Sequence, residues 1–372
     1  MTEMRSRILI ILLLSLSLFP AAHGSERTDS CGCDGVSKTY WIKQLFQKNF
    51  NLNDSGICYP AFPRFALNVY NWGDRTFNTY NTDYVVGTGK NWKLMGKSYN
   101  WMETSTLLFP EDVTLDMHST LFSDAGLRLS FMAVSVGYMW NINKLISSPD
   151  SRHTFDFSFT TSRFMVTYQD LRSQGGMILT RLGDYNNRHS FRYHFEDVDM
   201  KSRSAEAVYF FNHLKYSHAA AYSFSKYQLR SAGTALIGFN FVEQKIAMDF
   251  SRLPEEMLPY VPLEDKTYDS HYRSYSLSGG YSYNWALTPR RWLINAYGTM
   301  AMGYRQVFGT REDGDMRSLI SNNFKISAAV VYNHRALFAS FNAKMMGFLN
   351  YNSNYTHFNS FPSFDFVVGM RF

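Results

Sequence analysis

From Tyr275 to Trp285 the odd positions are mostly bulky and the even ones small and polar. Tyr275, Leu277, Gly279, Tyr281, Tyr283 and Trp285 alternate with Ser276, Ser278, Gly280, Ser282 and Asn284. Side chains of an extended strand point alternately to two faces, so a period of two dictates a strand with one greasy and one polar side. After the turn Thr288-Pro289-Arg290-Arg291 the pattern resumes. Trp292, Ile294, Ala296, Gly298, Met300, Met302 and Tyr304 alternate with Asn295, Thr299, Gly303 and Arg305. Phe155, Phe157 and Phe159 face away from Asp156, Ser158 and Thr160, and Leu337 to Gly347 repeat the alternation against Ser340, Asn342 and Lys344. The same reading predicts strands near 64–72, 98–108, 112–122, 125–131, 133–142, 163–171, 203–211, 217–226, 230–241 and 322–333. Between Phe131 and Val134 the greasy face moves from odd to even positions, which fits either a tight turn at Met132-Ala133 or a β-bulge.

A soluble sandwich also alternates, but its strands cluster near 5–6 residues. Several runs here reach ten, the length a tilted strand needs to cross a bilayer. Aromatic residues make up 17% of the chain while the mean hydropathy is −0.27. A barrel that wears its aromatics outside and keeps Ser, Asn, Gly and charge inside has this composition. Beyond the first 24 residues no apolar stretch approaches the 18 or so residues of a membrane helix. The expected fold is all-β: an antiparallel transmembrane β-barrel of about 12 strands, range 10–14, over residues 63–372.

The first residues set the compartment. Arg5 and Arg7 precede the apolar run Ile8 to Phe19, and Ala22 and Gly24 stand at the −3 and −1 positions of a cleavage before Ser25. Residues 1–24 read as a secretory signal peptide, with an uncleaved inner-membrane anchor as the alternative. Residues 25–62 form an N-terminal periplasmic segment in which Trp41, Ile42, Leu45, Phe46 and Phe50 recur at helical spacing, giving a short amphipathic helix. Cys31, Cys33 and Cys58 flank it; in an oxidising envelope one pair bridges, for example Cys33 with Cys58, and one thiol is left over.

At the other end Phe364, Phe366, Val368, Met370 and Phe372 alternate with Ser363, Asp365, Val367, Gly369 and Arg371. This resembles the closing strand of bacterial outer-membrane barrels, whose terminal aromatic is part of the signal read by the barrel-assembly machinery. The resemblance implies a Gram-negative cell outer membrane, with its lipid and lipopolysaccharide as surroundings. Four further segments resemble one uncharacterised family of outer-membrane barrels from Bacteroides-like bacteria, a domain of unknown function. They are Tyr84-Val85-Val86-Gly87-Thr88-Gly89-Lys90-Asn91-Trp92, Leu214-Lys215-Tyr216-Ser217-His218-Ala219-Ala220, Gln228-Leu229-Arg230-Ser231-Ala232-Gly233-Thr234 and Gly279-Gly280-Tyr281-Ser282-Tyr283-Asn284-Trp285. That family implies a fold and a location, and no activity or site residues.

Catalytic chemistry is poorly represented. Tyr216-Ser217-His218 and Asn212-His213 hold the residue types of a lipid hydrolase, but neighbours on a strand face opposite sides, so Ser217 and His218 do not pair there. Glu255-Glu256 and Glu264-Asp265 lie among Pro254, Pro259 and Pro262 in the longest expected loop, 242–270, and read as a solvated segment. Gly87-Thr88-Gly89-Lys90 lacks the spacing of a phosphate loop, and a Cys-x-Cys with one further cysteine is weak as a metal site. No cofactor, metal or nucleic-acid partner is expected. Alternation places Arg128, Asp156, Arg305, Lys344, Asp365 and Arg371 inside the barrel, as stiffening ion pairs or the lining of a pore. The expected role is structural or surface interaction with lipid, glycan or protein; a small-solute channel is the alternative, and a lipid-modifying hydrolase a third. Deleting Phe372, or making Phe372→Asp, is expected to lower the amount of barrel inserted in the outer membrane, read by heat-shifted gel mobility. Unchanged levels would show that the terminal aromatic has no part in assembly.

Overall fold

The computed structural model describes residues 41–48, 54, 56–131, 134–142, 151–263, 265–308, 320–351 and 355–372. The signal-peptide segment, Cys31 and Cys33 lie outside the described residues. The chain divides into two compact units, Met1–Leu67 and Asn68–Phe372. In the first, helix α1 (Trp41–Gln47) occupies the expected amphipathic stretch. Its Trp41 ring lies 5.7 Å from Tyr59, the Gln44 side chain accepts the Cys58 N–H at 3.1 Å, and Cys58 is in a disulfide. Helix α2 (Ala61–Phe77) replaces the strand expected near 64–72. Phe62, Phe65, Ala66 and Val69 recur at i, i+3, i+4 and i+7, and that helical period outweighs the short alternation read there.

The second unit is a closed antiparallel barrel. Its first wall strand is β2 (Trp92–Trp101) continued by β3 (Thr104–Leu108), and its second is β4 (Thr114–Ser119) continued by β5 (Phe122–Phe131). Ten more follow: β6 (Val134–Asn141), β7 (Ser151–Thr160), β8 (Phe164–Leu182), β9 (Tyr193–Phe210), β11 (Ala232–Asp249), β12 (Thr267–Thr288), β13 (Trp292–Phe308), β14 (Ile320–His334), β15 (Leu337–Tyr351) and β16 (Thr356–Arg371). That makes twelve wall strands. Two short strands, β1 (Val85–Gly87) and β10 (Lys226–Gln228), pair with each other apart from the wall. β16 pairs with β15 on one side and with β2 and β3 on the other, which closes the sheet. Closure runs to the last residue: the Trp92 N–H donates to the Phe372 carbonyl at 3.1 Å and the Phe372 N–H to the Trp92 carbonyl at 3.0 Å. We call this the terminal end and the opposite rim the distal end.

Phe131 pairs with Val134 at the end of the antiparallel β5–β6 ladder, and Met132 and Ala133 themselves lie outside the described residues. Residues paired across two strands share a face, and this is why the greasy positions change from odd to even there. The β6–β7 hairpin is shorter than its neighbours. Beyond its distal limit β4 pairs directly with β8, Leu115 to Ser119 against Leu182 to Met177, so the wall has twelve strands at the terminal end and ten at the distal end. Two expectations are corrected here. β11 and β12 continue as strands to Asp249 and from Thr267, confining the 242–270 loop to 250–266. The strand expected at 217–226 is instead a helix, α3 (His218–Tyr222), followed by β10.

The two faces of the wall separate as alternation predicts. Leu277 is 65% exposed and Met300 79%, whereas Ser278 is 3% exposed and Ser282 fully buried. On β12 the outward greasy side chains run from Trp285 to Tyr275. The ten residue steps between them are about 34 Å of strand, or about 26 Å along the axis at a tilt near 40°, the height of a membrane-facing band. Past Tyr275 the outward positions become Arg273 and His271. The change is level on the neighbouring strands, where Phe241 gives way to Glu243, Ala205 to Arg203 and Tyr168 to Asp170. Arg203 bridges Asp170 at 3.8 Å and Glu243 at 3.4 Å, and Arg273 bridges Glu243 at 2.9 Å, which draws a charged line around this side of the band. Beyond it β8, β9, β11 and β12 project as a wall that is polar outside and apolar inside. Leu115, Phe122, Leu179, Phe195, Ile246 and Phe361 fill the distal lumen, and Phe250, Leu253, Met257 and Val261 of the 250–266 loop fold in over them.

Two substitutions at one height test the facing. Leu277 pairs with Met302 and Ser278 with Ala301. Leu277→Arg or Met302→Arg is expected to cost about 2–4 kcal/mol near the midplane, while Ala301→Gln, directed at open space inside, costs little. Refolding yield into bilayers at graded urea reads the difference; a larger loss for Ala301→Gln would mean that the faces are exchanged. Ser278 itself is a poor control, since its hydroxyl packs against Gly238.

Candidate functional site

Between β9 and β11 the chain does not turn back at once. Residues 211–231 enter the terminal mouth of the barrel as a plug. Tyr216, Ser217, His218, Ala219, Ala220 and Ala221 are buried there, and three consecutive alanines let the short helix α3 lie close against β13 and β14. The plug is held by a polar network with little slack. Gln228 donates through Nε2 to the Lys215 carbonyl at 2.6 Å and the Arg230 carbonyl at 2.8 Å. Its Oε1 accepts the Ser217 N–H at 3.0 Å and Asn284 Nδ2 at 2.9 Å. Asn284 also donates to the Ser217 carbonyl and accepts from Asn295, whose own Oδ1 accepts the Tyr222 hydroxyl at 2.8 Å. The Tyr216 hydroxyl lies 2.7 Å from Ser282 Oγ.

The wall supplies two cations to the plug backbone. Lys93 donates to the Ser223 carbonyl at 2.7 Å and Arg371 to the Phe224 carbonyl at 2.7 Å, with a second Arg371 bond to Asn333 at 2.6 Å. Arg371 also sits over the Phe338 ring, against which Phe224 stacks at 4.6 Å. Outside this layer β1 pairs with β10, the Leu229 N–H reaches the Tyr84 carbonyl, and Lys226 is held by Asn78 and Ser162. The four segments that carry the sequence resemblance therefore meet in one place. Tyr84–Trp92, Leu214–Ala220, Gln228–Thr234 and Gly279–Trp285 build the plug and its seat.

Above the plug lies a chamber of about 330 Å³, floored by His218, Tyr222, Ser223 and Phe224 and roofed by the apolar distal lumen. Arg128, Asp156, Lys344 and Asp365 line it, as do Lys97, Glu206 and Lys325. Arg128 and Asp156 form an ion pair across β6. A Cβ at Gly137 would stand 2.9 Å from the Asp156 carboxylate, so the glycine is what lets the pair bridge an intervening strand. Lys325 holds Glu206 at 2.6 Å, and Lys97 lies 3.7 Å from Asp365, whose carboxylate also accepts from Asn342. Arg305 is not in the chamber. It is buried farther toward the distal end, donating to the Tyr351 carbonyl at 3.1 Å over the Tyr272 ring. Arg371 belongs to the plug seat. Lys97, Glu206 and Lys325 escaped the sequence reading, although the same alternation places them inward between Gly96 and Ser98, Ala205 and Ala207, and Phe324 and Ile326.

The distal lumen holds a second polar cluster. Ser105 Oγ lies 2.9 Å from His357 Nε2, and the Tyr268 hydroxyl lies 2.9 Å from His357 Nδ1. The order resembles a serine–histidine pair with a third group, but a neutral phenol in the third place does not stabilise an imidazolium as a carboxylate does. All three are buried beneath the apolar roof. Ser217 and His218 form no such pair: Gln228 and Asn284 hold the Ser217 backbone N–H and carbonyl, and His218 Nδ1 lies 3.4 Å from the Tyr216 hydroxyl. Among the described residues no three His, Cys, Asp or Glu side chains converge on a metal position.

The family model described as a domain of unknown function, DUF4421, matches residues 79–372. Among proteins of curated function none matches the sequence. Similar solved structures include the outer-membrane protease OmpT of Escherichia coli, 5% identical, covering 77% of this chain and 98% of that one at a TM-score of 0.33. The translocator domain of the autotransporter NalP of Neisseria meningitidis is 9% identical, with 91% and 100% covered at 0.32. The COG4313 outer-membrane channel of Pseudomonas putida F1 is 10% identical, with 79% and 100% covered at 0.30. These are likenesses of one barrel to another and carry nothing about activity.

His218 makes docking of the plug depend on pH. It stacks between Phe210 and Tyr222, at 5.0 and 4.5 Å. Burial, then the Lys325 charge, push its imidazole down to about 3. A released plug takes up a proton near pH 6.5 and a docked one does not, so docking is at full strength above 6.5 and weakens as pH falls from there toward 3. At pH 5 the loss approaches about 2 kcal/mol. Amide exchange of Ala219 to Ala221, corrected for intrinsic rates, is expected to show easier opening at pH 5 than at pH 7, and His218→Phe to remove the difference. Equal protection at both pH values would contradict this.

Proposed function

We propose, from the premise that the chain belongs to the DUF4421 family, that it is an outer-membrane barrel whose lumen is a closed binding chamber rather than a free diffusion pore. The observation that carries this is the plug. Residues 211–231 fill the terminal mouth and are tied to five wall strands by Lys93, Ser282, Asn284, Asn295, Ser327 and Arg371. Each buried donor or acceptor left without its partner costs about 1–3 kcal/mol, so a plug held this way stays docked unless something replaces its bonds. The apolar distal lumen supports the same reading, because a packed greasy layer does not pass hydrated solutes.

In this reading the terminal end faces the periplasm and the distal loops face outward. Lipid and lipopolysaccharide surround the greasy band, and the barrel-assembly machinery inserts the chain after secretion from its signal peptide. The Bacteroides-like source stays with the sequence resemblance. The barrel's work is interaction: it holds a ligand and releases it when the plug moves.

Planar-bilayer recording tests the proposal. The full chain is expected to show no steady conductance, while Gln228→Leu combined with Asn284→Leu, which removes the centre of the plug network, is expected to give discrete open events. Steady ohmic conductance from the unaltered chain would favour the small-solute channel instead.

A further inference from the structure

The chamber carries one more positive than negative group. Lys97, Arg128, Lys325 and Lys344 line it with Asp156, Glu206 and Asp365. Three of the cations are matched by the three carboxylates, as Arg128 with Asp156, Lys325 with Glu206 and Lys97 with Asp365. Lys344 is the fourth. Among the described residues its ammonium makes no ion pair and no hydrogen bond. Lys344 is half-buried, and the carboxylates that attract it, Asp365 and Glu206, are already bridged to Lys97 and Lys325. The chamber is therefore one anion short.

The walls narrow the choice of anion. Met139, Met165, Leu171, Met346, Phe348 and Phe361 line the chamber from four wall strands, β6, β8, β15 and β16. Thioethers are flexible and polarizable, and they suit an alkyl chain of no fixed shape. A phosphate monoester carries about −1.5 to −2 charges at neutral pH, more than this excess of one calls for, whereas a carboxylate carries one. The open volume of about 330 Å³ is far above the roughly 10–15 Å³ that one water needs by the same measure, so a single alkyl chain of about ten carbons has room.

We infer that the chamber is a binding site for a single-chain monoanionic amphiphile, a medium-chain fatty carboxylate, with Lys344 taking the head group and the methionine-rich wall taking the chain. This deepens the closed-chamber reading and rests on it. The carboxylate completes a fourth ion pair, and its chain replaces empty space with contacts that the wall otherwise lacks. Lys344 is thus a ligand-binding residue, while Lys97, Arg128 and Lys325 are already engaged.

The test uses the full chain refolded in nanodiscs, with equilibrium dialysis of labelled decanoate against nanodiscs without protein. Saturable binding of one decanoate per barrel is expected. Decanol has the chain without the charge, butyrate the charge without the chain, and decyl phosphate a larger charge; each is expected to bind about tenfold more weakly or worse. Lys344→Met is expected to lower decanoate affinity about 10- to 100-fold, and Lys344→Arg to retain most of it. Heat-shifted mobility certifies that both variants are folded; if the Met variant is not, the bound carboxylate's carbon-13 resonance and its loss of pH response serve instead. Decanol binding as tightly as decanoate, undiminished binding by folded Lys344→Met, or no uptake above empty nanodiscs would each overturn the inference. The two readings fail separately. Absent decanoate binding in an electrically silent barrel removes only this one, whereas steady conductance removes the closed chamber and leaves the Lys344 comparison readable.

Discussion

Hydrocarbon offers no hydrogen bonds to a backbone, and the rest of this structure depends on that. Every amide and carbonyl of a spanning strand must find its partner on a neighbour, so an open sheet edge at membrane depth is excluded. β16 therefore meets both β15 and the β2–β3 strand, with Trp92 and Phe372 exchanging bonds at the seam. A closed sheet has one inside and one outside. The period of two then assigns each side chain to one of them, which is how one sequence supplies a greasy band and a polar lumen together.

Closure creates the next requirement, because the interior has to be filled. The distal half does so as a soluble protein would, with Leu, Phe, Ile and Met packed around the Ser105–His357–Tyr268 cluster. The terminal half is filled by the plug, whose carbonyls are capped by Lys93 and Arg371 and whose turns are tied by Gln228. The zone between keeps about 330 Å³ open, and it concentrates the charges. The ion pairs there cross strands, and Gly137 shows the cost of such a crossing in side-chain volume: a bare Cα beneath the Arg128–Asp156 pair.

The wall was readable because alternation is a local property. Strand positions, the greasy face and the inward course of Arg128, Asp156, Lys344 and Asp365 follow from spacing alone. The passage from β5 to β6 was half readable, since the switch of parity was visible but its cause needed the pairing of Phe131 with Val134. What failed depended on tertiary contacts. Residues 217–226 look like a strand until the small Ala219–Ala221 run is set against β13 and β14. The 64–72 segment alternates over a few residues while its longer period is helical. The polar ends of β11 and β12 read as loop because they run past the membrane, where outward greasy residues are no longer needed. The quartet Gln228, Asn284, Asn295 and Tyr222 joins residues up to 73 positions apart, and no pattern along the chain announces it.

The shortened β6–β7 hairpin gives the barrel a direction. Circumference scales with strand number, so the step from twelve strands to ten makes the distal mouth about a sixth tighter than the terminal one, even before the 250–266 loop folds over it. A body resting on the plug sits in a funnel with its wide end behind it. Under the closed-chamber proposal such a vessel is a cul-de-sac, wide at the plugged terminal mouth and shut at the other end.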